Sequence, residues 1–468
     1  MPGAQLAEPK AVAGDRGLRA ARIRIGDYGW VETRTEIPVS TTHSRNDRDG
    51  EAQRVLEVND RGGYTVPTDK LYPFQWNWDS MFVSLGWAQW DMTRAWQEID
   101  TLLAAQWESG MIPHIVFWTP ASTYFPGPEV WHTATNAAPG APSSGISQPP
   151  VAATMVRALV EAGGELQAER VQALDRWHQW WHRARDPKQQ GLIAAVHPWE
   201  SGRDNVPDWD RPLAAVDTSS ISHYERRDLD VVDATMRPRP ADYDRYVALV
   251  EYGVAQGWDD DHLASNSPFL VADPGLTAIL LRAERDLMWL FRRLGMNTID
   301  IEARVARMEA GFSQLWNPTA GTYCSLDLRT GRHAEAGTAA SFLAFYAGIE
   351  ERHDELMGEL ASWAAACRFL VPSFDPRHPN FEPLRYWRGP VWAIINYLIA
   401  DGLAGVGELR WAERIRGDTA TLITDHGMYE SWSPLDGQPV GGPRFSWTAA
   451  MWLAWARHRP EIGDPDRG

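Results

Sequence analysis

Apolar residues at helical spacing, in stretches cut apart by long segments rich in proline, glycine and tryptophan, occupy most of this chain. In 94–109 the set Trp96, Ile99, Leu102 and Leu103 marks one face of a helix, and Gly110 supplies its stop. In 275–294 Leu276, Ile279, Leu280, Ala283, Leu287, Leu290 and Phe291 form a single stripe that ends at Gly295. The same pattern predicts helices near 149–162, 167–185, 242–256, 300–315, 338–369, 389–403, 407–418 and 446–458, whereas strand patterns are sparse and short. Between the stripes lie 111–148, 191–240, 372–388 and 427–445, and loops of that length inside a compact domain are usually functional. No shift in composition marks a domain boundary. Helices alternating with long loops suit one all-α toroid of helical hairpins over 59–468, its long loops capping a site and 205–240 inserted as a lid; no clean repeat marks the hairpins, and the barrel rests in part on the resemblance given below. Residues 1–58 read as a solvated, partly disordered leader.

Composition narrows the partners. A formal net charge of −17 argues against nucleic acid or an anionic membrane, both of which need a positive footprint. An anionic substrate is repelled by the same field, so a local arginine must supply its binding. Cys324 and Cys367 are too few for a disulfide framework and no Cys/His spacing suggests zinc. No segment approaches the roughly 20 apolar residues of a membrane span. The N-terminal stretch lacks the apolar core of a secretory signal, and the expected location is the cytoplasm. The 25 tryptophans exceed the usual share. Most are expected in the core; those clustered in loops suit sugars, because indole stacks on apolar sugar faces while its N–H reaches hydroxyls.

Three segments carry candidate chemistry. In 71–80 (LYPFQWNWDS) Tyr72, Trp76 and Trp78 crowd around Asp79. That carboxylate is either a helix cap or an acceptor for two adjacent sugar hydroxyls. In 196–210 (VHPWESGRDNVPDWD) Glu200, Asp204, Asp208 and Asp210 share a loop with Trp199 and Trp209. Indole walls raise a carboxyl toward neutral pH, as a general acid requires. A calcium loop and a solvated acidic turn are the competing readings, the first weakened by Pro198, Pro207 and the missing EF-hand spacing. In 426–449 (HGMYESWSPLDGQPVGGPRFSWTA) Glu430 stands between Tyr429 and Trp432 ahead of a glycine-rich loop. A buried glutamate there is costly unless paired or used. Supporting pieces are YFPGP at 124–128, GISQPP at 145–150 with Gln148, and YWRGPVWAIIN at 386–396 with Trp387 and Arg388. No serine-hydrolase elbow, zincin, P-loop or dinucleotide-binding motif is present.

Taken in order, YPFQWNWDS, SGMIPHIVF, YFPGP, SGISQPP, HPWESGRDN, DYDRY, YWRGPVW and FSWTAA resemble glycoside hydrolase family 63, in its bacterial branch of glucosylglycerate and mannosylglycerate hydrolases. The likeness runs from about residue 71 to 453. It implies an inverting (α/α)6-barrel enzyme, with Asp204 of the SG-x-DN motif as general acid and Glu430 as general base. Tyr72, Trp76, Trp78, Asp79, Trp387 and Arg388 fall on sugar-pocket positions. Tyr124, Gln148, Tyr243 and Tyr386 fall on positions at the acid end with Arg237, whose register competes with Arg239 in MRPRP. The long N-terminal stretch, WTPAST at 118–123 and the continuation VPDWD at 206–210 depart from the family's pattern.

The expected reaction is release of a hexose from 2-O-glucosylglycerate or mannosylglycerate, with no metal and no cofactor. A homo-oligomer is an open expectation. The rivals are a neutral-substrate α-glucosidase of the same family, which would not need Arg237, a sugar epimerase relying on His114, His197 or His426, and a non-catalytic carbohydrate-binding protein.

Overall fold

A computed structural model of the chain describes residues 48–457 apart from Pro187, together with the backbone of Arg22–Arg24, Trp30–Glu32 and 42–47. Two compact units result, Met1–Arg45 and Asn46–Gly468. In the first, Arg22–Arg24 pairs antiparallel with Trp30–Glu32; the rest of the expected leader up to residue 41 lies outside the described residues. The expected boundary at 58 falls inside a helix, Thr42–Asn59. Its Ala52, Val55 and Leu56 are core residues of the second unit, so that unit starts near residue 46.

Six inner helical segments close into a ring in the second unit. Asn77–Trp87 packs on Ala152–Glu161, which packs on Pro274–Arg293. The ring continues through the short turns Ala339–Phe342 and Leu343–Tyr346, then Ala393–Gly405 and Ser446–Met451, which returns to Asn77–Trp87. Each inner segment alternates along the chain with an outer helix: Thr42–Asn59, Met92–Leu103, Ala168–Ala184, Ile299–Phe312, His353–Ala366 and Leu409–His426. The first of these meets the π-helical turn Trp452–Ala456 that continues the last inner segment, where Trp452 Nε1 donates to Asp49 Oδ1 at 2.7 Å. This is an (α/α)6 barrel. Among the described residues no helix is long and apolar enough to cross a membrane.

Burial follows the ring. Every residue of Asn77–Trp87 is buried, while His353–Ala366 buries only Leu356, Leu360 and Trp363. Caps set the starts: the Asp91 side chain accepts from Arg94 N–H, and Asp273 accepts from Leu276 N–H ahead of Pro274. The single helix expected over 338–369 is instead a hairpin of two, turned where Gly348 and Arg352 take left-handed conformations. The helix expected over 407–418 runs on to His426, where left-handed Gly427 stops it.

Inner-to-outer turns are short, whereas every outer-to-inner connection is long: 60–76, 104–151, 185–273, 313–338, 367–392 and 427–445. Alternating antiparallel helices put all the long connections at one end of the barrel. Strands of two to five residues knit them. Gln75–Trp76 pairs with Ile115–Val116, and Tyr429–Trp432 pairs with Pro439–Pro443. Arg332–His333, Leu326–Asp327, Val271–Ala272 and Ala194–Ala195 make one four-stranded sheet.

Candidate active site

Five of the six long connections line one cavity of about 740 Å³, open mouth included, a size suited to a small ligand. Tyr72, Trp76, Trp78, Asp79, Tyr124, Gln148, Asp204, Arg237, Tyr243, Tyr386, Trp387 and Glu430 all reach it. Arg388 does not: its Nη1 and Nη2 bind both oxygens of Asp210 at 2.7 and 2.8 Å, and its Nε donates to Glu382 at 2.9 Å. Its guanidinium fastens loops together instead of meeting a ligand. Arg239 is likewise turned away and donates to Glu382 at 2.7 Å.

Asp204 follows a 3-10 turn, Pro198–Ser201, and left-handed Gly202. A side chain at Gly202 would collide with the Trp78 ring, so the turn admits glycine on two counts. The backbone around Asp204 is pinned on both sides. Arg203 Nη2 donates to Asp273 Oδ2 at 2.6 Å, and Tyr246 O–H donates to the Asp204 carbonyl at 2.7 Å. Burial pushes the Asp204 carboxyl up to about 7, opposed by backbone hydrogen bonding and by Arg237. Near neutral pH this group therefore keeps a proton for part of the time.

Glu430 sits where the register of the Tyr429–Trp432 strand shifts, at a bulge that re-aims a side chain. It is 1% exposed. Tyr72 O–H donates to its Oε1 and Gly442 N–H to its Oε2, both at 3.2 Å, and Arg237 Nη1 lies 3.6 Å from Oε1. Burial raises its pKa, and Arg237, Gly442 N–H and Tyr72 counter by favouring the charged form. A side chain at left-handed Gly441 would run into this carboxylate. Burial also raises Asp79 well above the usual carboxylate range. Asp79 does not cap its helix, because Trp76 holds the cap position and no side chain bonds there.

Aromatic rings wall the space. Trp387 stacks face to face on Trp392 at 3.8 Å, and Trp78 meets both Trp387 and Trp447. Gln148 Oε1 accepts from Trp78 N–H at 3.2 Å, which fixes its amide. Tyr243 O–H donates to the Phe125 carbonyl at 2.9 Å, and Tyr386, itself left-handed at φ 37°, covers Arg237 at 4.2 Å. The remaining acids of the 196–210 loop serve elsewhere. Glu200 is buried against Arg185 at 2.7 Å, Asp208 accepts from Ser325 Oγ at 2.8 Å, and Asp210 holds Arg388. Among the described residues no cluster of three or more His, Cys, Asp or Glu side chains could hold a metal ion.

Asp228, Trp199 and Trp447 also line the cavity and are not among the site residues expected from the sequence. Asp228 lies in an aperiodic loop whose partners, Arg226 and Arg237, are visible only once it folds. Of the histidines, His114 reaches the cavity and burial depresses its pKa well below the ordinary value. His197 accepts from Trp199 N–H and is held down to about 3 by burial.

This arrangement, two buried carboxyls in one aromatic cavity with the first favoured protonated and the second bound by donors, suits acid–base cleavage of a glycosidic bond. The domain family described as mannosylglycerate hydrolase MGH1-like glycoside hydrolase matches residues 72–448. A mannosylglycerate hydrolase of Selaginella moellendorffii is 46% identical over 415 residues, covering 86% of this chain and 84% of that protein. A glucosylglycerate hydrolase of Mycolicibacterium hassiacum is 35% identical over 432 residues, covering 86% and 96% respectively. Among solved structures, a mannosylglycerate hydrolase of Thermus thermophilus in complex with Tris and D-glycerate is 43% identical with a TM-score of 0.83, covering 88% of this chain and all of that one. The chain is thus a glycoside hydrolase of family 63, in the branch of the mannosylglycerate hydrolase MGH1-like enzymes.

Proposed function

We propose that the protein hydrolyses a small glycoside of glycerate with inversion at the anomeric carbon. Asp204 donates its proton to the glycosidic oxygen, while ionised Glu430 takes a proton from the attacking water on the opposite face of the sugar. Trp78, Trp387 and Asp79 hold the hexose, and Arg237 receives the glycerate carboxylate with Tyr124, Gln148, Tyr243 and Tyr386 around it. The observation that carries the reading is Arg237 itself. It is a buried guanidinium lining the cavity, and its Nη1 has no hydrogen-bond partner. A buried donor left unmade is costly, and an anionic aglycone would satisfy it. The greater identity to mannosylglycerate hydrolases puts mannose ahead of glucose as the released sugar. Two buried free thiols, Cys324 and Cys367, support action in the cytoplasm.

The test is incubation with mannosylglycerate, glucosylglycerate, glucosylglycerol and a disaccharide panel, following free sugar and its first-formed anomer by proton NMR. Release from a glycerate conjugate with inverted anomer is expected. Release only from neutral glycosides would give the acid and base another substrate, and retained configuration would remove the single-displacement mechanism.

A further inference from the structure

Arg237 faces two competing demands. Its Nη1 must stay open to a ligand, yet the Glu430 carboxylate stands 3.6 Å away, and a buried guanidinium would otherwise close on that anion. The opposite edge of the guanidinium is tethered: Nε donates to Asp228 Oδ2 at 3.0 Å. Asp228 is in turn fixed by a fork from Arg226, whose Nε meets Oδ1 at 3.0 Å and whose Nη2 meets Oδ2 at 2.6 Å. Arg226 is locked as well. Its Nη1 donates to the Pro238 carbonyl at 2.7 Å, and its guanidinium lies over the Tyr243 ring at 4.2 Å. Arg226, Asp228, Arg237 and Glu430 thus form a row of charges of alternating sign that ends at the base.

We infer that Asp228 is a positioning residue for this reaction: by holding the Nε edge of Arg237 it keeps Nη1 free for the carboxylate of an acidic aglycone and keeps the guanidinium from closing on Glu430. The inference rests on the role proposed above for Arg237. A fork between Arg226 and Asp228 gives the tether its direction as well as its strength, and the Tyr386 face prevents the guanidinium from tilting out of the plane. Asp228 thereby sets selectivity between acidic and neutral glycosides without touching the reacting atoms.

Asp228→Asn keeps the shape and removes the charge, which frees Arg237 to approach Glu430. The groups facing Glu430 are Tyr72 and Asp79 from the first long connection and helix, Asp204, Asp228 and Arg237 from the third, and Tyr386 from the fifth. Of these the substitution changes Asp228 alone. Losing its negative charge and bringing Arg237 closer both favour ionised Glu430. The acidic limb of the pH profile of kcat/KM, which reports ionisation of the base, should therefore move to lower pH.

The experiment compares the full-length wild type, Asp228→Asn and Arg226→Lys on a glycerate glycoside and on the matching glycerol glycoside. Arg226→Lys keeps the charge and loses the fork. Expected for Asp228→Asn are a rise in KM of roughly tenfold or more for the glycerate conjugate, a smaller rise for the glycerol conjugate, and the downward shift of the acidic limb. Arg226→Lys should change the KM ratio in the same direction by less. An unchanged KM ratio and an unmoved limb in whichever variants fold, with the wild type active on the glycerate conjugate, would overturn the inference alone. A merely weakened fold would lower the rates on both substrates alike and leave the limb in place, which also overturns it. A wild type that hydrolyses neither conjugate overturns the proposed function and this inference with it.

Discussion

With burial holding the Asp204 carboxyl at about 7, a step that needs this group protonated must slow as the pH climbs through that value. The sign follows from the role: an acid is used up by deprotonation, so kcat/KM should have a basic limb near pH 7 and fall roughly tenfold per unit beyond it. A profile flat to about pH 9 would exclude Asp204 as the acid. Asp204→Asn and Glu430→Gln preserve shape and should each lower kcat by about 10²–10⁴ with little change in thermal midpoint. Arg237→Ala tests the other end of the site. Hydrogen bonds to charged groups contribute about 1.5–3 kcal/mol, so the glycerate conjugate should lose that much in kcat/KM while the glycerol conjugate loses far less. Equal losses on both would deny Arg237 the glycerate carboxylate.

The loop that carries Asp204 depends on a different acid for its shape. Glu200 and Arg185 are both wholly buried; Glu200 accepts Nε at 3.0 Å and Nη2 at 2.7 Å and also takes the Val196 N–H at 2.9 Å. Arg185 immediately follows the helix Ala168–Ala184, so the pair ties the acid loop to the barrel. Glu200→Ala leaves the buried guanidinium with only the more distant Asp260 carboxylate, 3.7 Å away, and should cost about 3 kcal/mol in urea unfolding; a loss below about 1 kcal/mol would show the pair to be replaceable. In the sequence Glu200 is one of four equivalent acids, because its partner is a buried arginine 15 residues away with no pattern linking the two. The same reason hides the Arg388–Asp210 clamp, whose ends are 178 residues apart. Helices such as Met92–Leu103 are legible because one face is wet and the apolar stripe stands out. Asn77–Trp87 is legible only in part, since a helix buried on all sides shows no stripe. The hairpin in 338–369 reads as one helix because its turn, Gly348 to Arg352, contains no proline. Tyr72, Trp76, Trp78 and Asp79 can be named because aromatic rings crowd around one carboxylate in a single short segment, whereas Tyr124, Gln148, Arg237, Tyr243 and Tyr386 stand far apart in the sequence and are named only through the resemblance to family 63.

At the scale of the whole molecule the charge acts against the proposed substrate. A net −17 repels a glycerate conjugate over the distance that salt permits, while Arg237 attracts it only after it has entered. The two effects respond differently to ionic strength. At about 10 mM salt the Debye length is roughly 30 Å, and at about 150 mM it is roughly 8 Å. Added salt therefore removes the long-range repulsion, but it weakens the contact inside a buried pocket much less. Electrostatic fields of this kind act mainly on association rates. The expected outcome is that kcat/KM for the glycerate conjugate rises between those two salt concentrations, while kcat stays level and the glycerol conjugate is indifferent. In Arg237→Ala the rise should persist on a lower baseline, because the global field is nearly unchanged when one charge in the cavity is lost. A fall with salt in the wild type would mean that the positive charge of Arg237 inside the cavity outweighs the net charge of the molecule. Comparing the slopes of the wild type and Arg237→Ala then separates the two fields: a falling slope that disappears with the arginine comes from the site, and a rising slope that survives its removal comes from the whole chain.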